Sequence, residues 1–517
     1  MQPQRPSSFK LTWIGNHFVI ETILSASRWK LTLLSGILIG LAFPPLKLGF
    51  VAWFGLVPLL TVFSRSSPTE GMLFGYLAGV ASNLIAVHWL TFNVGETLPV
   101  VFASMVAAVV YLSLFWSLIG FLVTLIHVRT GKGLLLAPFI WTAVDYAMNF
   151  GPLGFPWVSP ATTQADYLPL IQMAEFTGIH GITFWLVLLN VLTFRICRFP
   201  ARLRLQMGKG TLVLLVLPWL LGYGLIAKWR SPTTDPQIRI ALVQSNVGPH
   251  EKWDPERRNW VFDHLDLLYK VATETDPQLI VWPESATPTY LSKNQKRLRR
   301  VKKRVIESGI PLLTGSIDWG REAGERVSYN SAIMIDGGDS IATYHKIQLV
   351  PLAESSLFPK WVSFAEKLSL GNFTPGDRHT LFHLEDVPFA TIICFESAFP
   401  RLVNKFVSAG ARFLVVVVND GWYGNTAEPY QHAALARIRA VEHRMAVARC
   451  ANTGISAFYD ASGQMTSRLE VGEEGIITAG ISPRSVLTFY GRHGDLFTHS
   501  ILVIFVLLGL WFWHREK

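Results

Sequence analysis

Three residues of the chain have side chains that together could carry out acyl transfer, and each stands at the end of an apolar run. Glu284 closes LIVWPE, Lys346 sits within TYHKIQLVP, and Cys394 follows FATII. Singly, each has an ordinary explanation. An acid at a strand end is usually a solvated turn residue, a lone lysine is usually surface, and a free cysteine packs as a small hydrophobe. Together they form a complete device. A thiolate is the nucleophile, a carboxylate removes the thiol proton, and a fixed ammonium steadies the oxyanion formed when sulfur attacks a carbonyl carbon. The chemistry is acyl transfer through a thioester.

Such residues need a scaffold. From about Trp229 to Arg484, short apolar strands alternate with charged helical stretches, the pattern of a soluble α/β domain. Strands are expected at IRIALVQSNV, LIVWPES, PLLTGSID, SYNSAIMID, TIICFES and FLVVVVNDG, and helices near 257–274, 293–308, 398–409 and 430–445. Near-continuous apolar strands imply sheets covered on both faces, hence a layered α/β sandwich.

The rest of the chain is of another kind. Among 517 residues, half are hydrophobic, 18 are Trp and only 16% are charged, which suits a membrane protein with a polar part. A helix crosses a bilayer with roughly 20 apolar residues. Seven stretches qualify before the soluble part, near 31–46, 48–64, 72–92, 99–127, 133–150, 170–194 and 210–228, and one after it, 496–513. The stretch 11–25 carries Asn16, His17 and Glu21 and reads as an interfacial segment, and no cleavage site follows it. Lys10, Arg28, Lys30, Arg65, Arg129, Lys132, Arg195, Arg198, Arg202, Arg204 and Lys209 all fall on the side of the N-terminus. That side is therefore expected to be cytoplasmic. Seven crossings then place the soluble domain outside a bacterial cytoplasmic membrane, and an eighth returns HREK to the cytoplasm. The net charge of +10 does not argue for nucleic acid on that side. Cys197, Cys394 and Cys450 have no metal-ligand spacing, and no nucleotide-binding glycine loop is present. A disulfide between Cys394 and Cys450 is the competing structural reading in an oxidising compartment.

WPE, then YHK-x-x-LVP-x-x-E, then C-[FY]-E, in this order and spacing, resemble the nitrilase superfamily with its Glu-Lys-Cys triad. The resemblance implies an α-β-β-α sandwich, with Glu284 as base, Lys346 as oxyanion stabiliser, Cys394 as nucleophile and Glu354 as an assistant beside Lys346. The membrane part selects the branch. GFPW (154–157), EKW ending at Trp253, VNDGWYG (418–424), PYQHAALARIRAVEHRMAVAR, ANTGIS and LTFYGRHGD (487–495) resemble the apolipoprotein N-acyltransferase family along nearly the whole chain. That resemblance implies three parts: a membrane domain over 1–229, an extracytoplasmic catalytic domain over 230–486, and a last span with a short tail over 487–517. It implies a multi-pass protein of the inner membrane, with the catalytic domain periplasmic and both termini cytoplasmic. The expected reaction takes an acyl chain from the sn-1 position of a phospholipid to the α-amine of a diacylglyceryl-cysteine apolipoprotein, with no cofactor, no metal and a monomeric enzyme.

Around the triad, Glu396 and Asn330 are expected to support the site, and Trp253, Trp422, Tyr423 and Phe395 to meet substrate. Phe395 stands where tyrosine is frequent, and LAE stands where FGE is usual. Asp145, in WTAVDYAMNF, lacks the arginine often found beside that acid. His88 and His180 read as packed histidines. The basic helix KNQKRLRRVKKRVIES reads as a solvated face, with attraction to anionic headgroups as the functional alternative. Two other functions compete: a tethered amidase that gives the acyl group to water, and a transporter or scaffold carrying an inactive enzyme domain.

Overall fold

In the computed structural model, the described residues are 26–198, 201–230, 236–338, 340–355 and 373–515. The stretch 11–25, Lys10 and the final Glu516 and Lys517 lie outside them. Twelve strands among these residues form two sheets of six. The first runs β12 (Gly475–Ile481), β1 (Ile238–Gln244), β2 (Leu279–Tyr290), β3 (Leu312–Glu322), β4 (Glu325–Ile335), β5 (Ala342–His345). The second runs β11 (Met465–Leu469), β10 (Ser456–Tyr459), β9 (Val447–Ala451), β8 (Leu414–Val418), β7 (Val387–Ile393), β6 (Leu381–Leu384). In each sheet three central strands are parallel and the flanking ones antiparallel.

The two-residue period of a strand decides which side each residue serves. Ile240 and Leu242 of β1, with Leu279 and Val281 of β2, join a core shared with Ile392, Val415 and Val417 of the other sheet. Their neighbours Ala241, Val243, Ile280 and Trp282 turn the other way, onto Val261, Phe262 and Leu265 of the helix Arg258–Thr273 and Val301 and Val305 of Gln295–Ser308. The helices Pro400–Ser408 and Glu428–His443 supply Phe406, Val407, Leu435 and Ala440 to the second sheet. The layers are therefore helix, sheet, sheet, helix, as expected. The strands that sequence periodicity did not pick out (β5, β6 and β9–β12) are short, mostly four or five residues.

Local chemistry sets the helix ends. Asn294 caps Gln295–Ser308 by accepting from the Arg297 N–H at 3.1 Å, and Gly309 closes it at φ +70°. Its cations are largely taken up: Arg300 reaches Asp263 at 2.6 Å and Asp266 at 2.7 Å, and Lys302 donates to the Gly338 carbonyl at 2.7 Å.

A helix or a set of short helices occupies each of the eight apolar stretches. By length and composition three described helices can cross a membrane: Leu98–Thr130, Ile179–Arg198 and Gln206–Arg230. The others are shorter apolar helices such as Gly133–Ala147 and Leu496–Phe512, or are interrupted, as where 49–63 breaks into three pieces. His88 is a correction: it is exposed, with Nδ1 2.8 Å from the Ile85 carbonyl and its ring edge-on to Phe92 at 6.3 Å. His180 is packed as expected, beside Asp145, which is 2% exposed and accepts from Ser159 at 2.9 Å and Thr183 at 2.7 Å. Hydroxyls replace the missing arginine.

One side chain fastens the bundle to the sandwich. Gln431 accepts from the indole N–H groups of Trp89 (3.1 Å) and Trp157 (2.8 Å) and donates to the carbonyls of Pro44 (3.2 Å) and Ala86 (3.0 Å). All four amide valences of this buried glutamine are spent on the helical bundle.

Candidate active site

Glu284 lies in the middle of β2, at a bend. Pairing of β2 with β3 loses register between Trp282 and Thr287, and Ser285 stands at φ +48°. The bend brings the β2 backbone against Gly315 of β3, where a Cβ would fall 2.4 Å from the Glu284 Cα. Only glycine leaves that room. The carboxylate is thereby turned inward, 6% exposed.

Lys346 follows β5 and is 1% exposed. Its Nζ lies 2.8 Å from Glu354 Oε2 and 3.6 Å from Glu284 Oε1. Burial by itself would lower the lysine pKa, but Glu354, Glu284 and Cys394 together hold it raised, so the group is a permanent ammonium. Asn330 of β4 donates through its side-chain amide nitrogen to Glu284 Oε1 at 2.7 Å and to Glu354 Oε1 at 2.9 Å, and its backbone carbonyl accepts from the backbone N–H of Lys346 at 2.8 Å. Glu354 also accepts from the Val350 N–H at 2.8 Å.

Cys394 begins a 3-10 turn, Cys394–Ala398, directly after β7, at φ +52°. Non-glycine residues rarely take that conformation, and it costs about 1–3 kcal/mol. The strain is held by Glu396, which is fully buried. Its carboxylate accepts from the Ile393 N–H (2.8 Å), the Tyr344 hydroxyl (2.7 Å), and the N–H groups of Ile347 (2.7 Å) and Gln348 (3.1 Å). One acid thus ties the cysteine turn to the lysine turn. Burial first, then the Glu284 charge, pushes the Cys394 thiol well above its ordinary pKa, with Lys346 opposing. The resting sulfur is a thiol that needs a base. Cys394 and Cys450 are both free thiols, so the Cys394–Cys450 bridge is absent. Cys450 is buried in the core, its thiol against the carbonyls of Val243 (3.4 Å) and Val281 (3.3 Å).

Behind the turn lies a cluster that sequence reasoning missed. His432 directs Nδ1 at Asp420 (2.9 Å) and Nε2 at the Cys394 carbonyl (3.0 Å), and Arg449 holds the other Asp420 oxygen at 2.8 Å. Burial would lower the His432 pKa, but Asp420 raises it to about 9, so both ring nitrogens donate. Asp420, Glu428 and His432 offer ligand-type atoms within 4.8 Å of one another. Arg449 and the imidazolium already balance that charge. Asp420 lies within VNDGWYG, His432 and Arg449 within PYQHAALARIRAVEHRMAVAR, and Glu428 just before the latter, but nothing in single-sequence periodicity tells a buried charged histidine from a merely packed one.

The remaining expected residues surround this centre. Phe395 is 3% exposed and packs on Phe155, Trp157 and Phe399 at ring distances of 5.5, 6.2 and 5.1 Å. Tyr423 meets Trp89 edge-on at 4.8 Å, and the Trp422 carbonyl receives the Val94 N–H at 2.9 Å, so this loop rests on the helical bundle. Trp253 is 37% exposed, whereas the adjacent Lys252 is 1% exposed with no hydrogen-bond partner for its Nζ among the described residues.

Residues 35–192 match the apolipoprotein N-acyltransferase N-terminal domain, and residues 239–488 match the carbon-nitrogen hydrolase domain. Among curated relatives, the apolipoprotein N-acyltransferase of Geobacter metallireducens is 33% identical over 481 residues, covering 91% of this chain and 92% of that one. That of Chlorobaculum tepidum is 33% identical over 531 residues, covering 94% and 97%. Among solved structures, Saccharomyces cerevisiae Nit3, a member of branch 10 of the nitrilase superfamily, aligns at 20% identity and a TM-score of 0.39 over 50% of this chain and 95% of that chain. An amidase from Nesterenkonia sp. aligns at 19% and 0.36, over 52% and 97%.

Proposed function

The chain belongs to the apolipoprotein N-acyltransferase family, and from that premise we propose that Glu284, Lys346 and Cys394 carry its acyl transfer through a thioester on Cys394. The activity is lipoprotein N-acylation, its substrates are lipid and lipoprotein, and the protein is membrane-associated. The observation that supports the residue assignment is the convergence of a base, a fixed ammonium and a strained thiol in one buried centre.

Two half-reactions follow from that geometry. Glu284 takes the Cys394 proton as sulfur attacks the sn-1 ester carbonyl of a phospholipid, and the oxyanion forms beside the Lys346 ammonium. Collapse breaks the ester C–O bond, Glu284 returns the proton to the leaving oxygen, and lysophospholipid departs. The α-amine of a diacylglyceryl-cysteine apolipoprotein then attacks the thioester, the C–S bond breaks, and the thiol is restored. In this reading Glu354 and Asn330 fix the ammonium and the base, Glu396 holds the two turns together, and Phe395 supports the nucleophile from behind. Trp253, Trp422 and Tyr423 lie along the substrate approach.

The same reading takes the chain as a multi-pass monomer of the bacterial inner membrane, divided at 1–229, 230–486 and 487–517. It has eight crossings, a periplasmic catalytic domain and both termini cytoplasmic. Its support is the one-sided placement of loop cations. Both substrates are lipid-anchored, so lateral diffusion avoids exposing acyl chain to water at about 0.8 kcal/mol per CH₂. Transfer to water is not favoured. The deciding experiment incubates purified enzyme with labelled phospholipid and a diacylated lipopeptide. Mass spectrometry should find an acyl adduct on Cys394 and label on the lipopeptide, both lost in Cys394→Ala. Free fatty acid as the sole product, or an active Cys394→Ala enzyme, would overturn the proposal.

A further inference from the structure

The cations that line this site have partners, with one exception. Lys346 has Glu354 against it, and Arg449 has Asp420. Lys252 has no hydrogen-bond partner among the described residues, although it is buried as deeply. The short helix Pro249–Trp253 carries it inward. That helix is anchored at its start, where Asn452 donates to the Val247 carbonyl at 2.7 Å and to Asn419 at 3.0 Å. The charge that reaches Lys252 is that of Glu284. Burying an ammonium without a partner is costly, and burial draws this lysine down to about 7, with Glu284 opposing. Near neutrality it is in large part a free amine, which is a base.

The reaction described above releases a proton at one stage only. In the first half-reaction, ester and thiol give thioester and alcohol, and the thiol proton leaves on the alcohol. In the second, the acceptor's α-amine, with an ordinary pKa of about 7.7–8.0, arrives largely as an ammonium at neutral pH. Thioester and ammonium give amide, thiol and one proton. The nitrogen loses one proton before its lone pair can attack and another as the C–S bond breaks. Glu284 can hand the second to the departing sulfur, but the first must go elsewhere.

We propose that Lys252 takes up that first proton, leaving the Glu284 carboxylate free for the second, and so serves as a base specific to the amine half-reaction. The inference rests on the thioester reading. The charged groups facing the pair are Lys346 and Glu354 at the lysine turn, Cys394 at its own turn, and Asp420 beyond it. Glu251, on the helix of Lys252, is paired with Arg257. None of these is free to take the proton: Lys346 is already charged, and Glu354 and Asp420 are held in ion pairs.

The test separates the half-reactions in the full-length enzyme, using Lys252→Arg and Lys252→Met. Arginine keeps a buried cation but does not give up its proton. Both variants should still acquire the acyl adduct on Cys394 from labelled phospholipid, which also reports that they are folded. Discharge to a diacylated lipopeptide at pH 7 should be slower by about 100-fold, within the range of a lost general base. The deficit should shrink as pH rises toward 9, where the acceptor amine enters neutral. Hydroxylamine, already neutral at pH 7, should discharge variant and wild-type thioesters alike. A Lys252→Arg enzyme that acylates the lipopeptide at the wild-type rate overturns the inference, as does an equal loss with hydroxylamine. A wild-type enzyme that forms no adduct overturns the thioester reading and this inference together.

Discussion

His432 sits 3.0 Å from the carbonyl of the nucleophile, yet its ring is committed to structure by Asp420 on one side and that carbonyl on the other. Its folded pKa of about 9 lies above the ordinary 6.5, so its contribution to stability is complete below about 6.5 and is lost as pH rises through about 9. Glu428, raised from 4.5 to about 7 by burial and then by Asp420, adds to the same downward trend over its own lower window. Asp420 acts oppositely: its lowered pKa contributes above about 3.8 and fades in acid. Lys252, lowered to about 7, acts oppositely between pH 7 and 10, so the contribution of His432 is read from the difference in thermal midpoint between wild type and variant. The midpoint of His432→Gln should lie below that of wild type at pH 7, and the gap should narrow as pH rises toward 10. A midpoint in the variant with the same pH slope as wild type would show that the charge on this ring is not what the fold uses.

At the scale of elements, the site depends on two backbone irregularities, the bend of β2 at Ser285 and the left-handed turn at Cys394. Gly315 is what allows the first. In Gly315→Ala the new methyl would meet the Glu284 Cα, the Pro283 carbonyl and the Ser285 nitrogen at 2.4 to 2.6 Å, all backbone atoms that cannot swing aside. Overpacking of this kind costs about 1–3 kcal/mol, and a displacement of about 1 Å at a catalytic group can cost about 100-fold in rate. The variant should fold with a lowered thermal midpoint and form the Cys394 thioester far more slowly. Wild-type thioester formation in Gly315→Ala would mean that the bend does not position the base. Glycine in a strand is visible in the sequence as PLLTGSID, but that it faces an acid on the neighbouring strand is not.

For the whole molecule, Gln431 sets how the sandwich sits on the bundle. Replacing it with leucine leaves two indole N–H groups and the Pro44 and Ala86 carbonyls without partners in a buried place. Each such orphan costs about 1–3 kcal/mol. Trp157, one of the two donors, also stacks on Phe395 and lies 5.1 Å from the His432 ring, so the loss extends to the nucleophile's surroundings. Gln431→Leu should lower the thermal midpoint, make the chain between bundle and sandwich more open to limited proteolysis, and slow acyl transfer. Unchanged proteolysis and midpoint would show that the other contacts, such as Arg444 with Glu175 and Glu442 with the Ile179 N–H, hold the two parts together without Gln431.

The sequence by itself determined the class of chemistry, the layered sandwich and the succession of apolar stretches, and it singled out Glu284, Lys346 and Cys394 as candidates. Each of these is written in local pattern: a reactive residue after a β-branched run, a period of two, or an uncharged run. It did not determine how many stretches form helices long and apolar enough to cross a bilayer, since a window of apolar residues does not show where a helix breaks. Nor did it reveal the His432–Asp420–Arg449 cluster, the role of Glu396 as a bridge between two turns, or the unpartnered Lys252 beside Glu284. Those depend on residues far apart in the chain being buried together. Only the tertiary structure brings such charges out of water and close enough to one another to fix which of them hold protons.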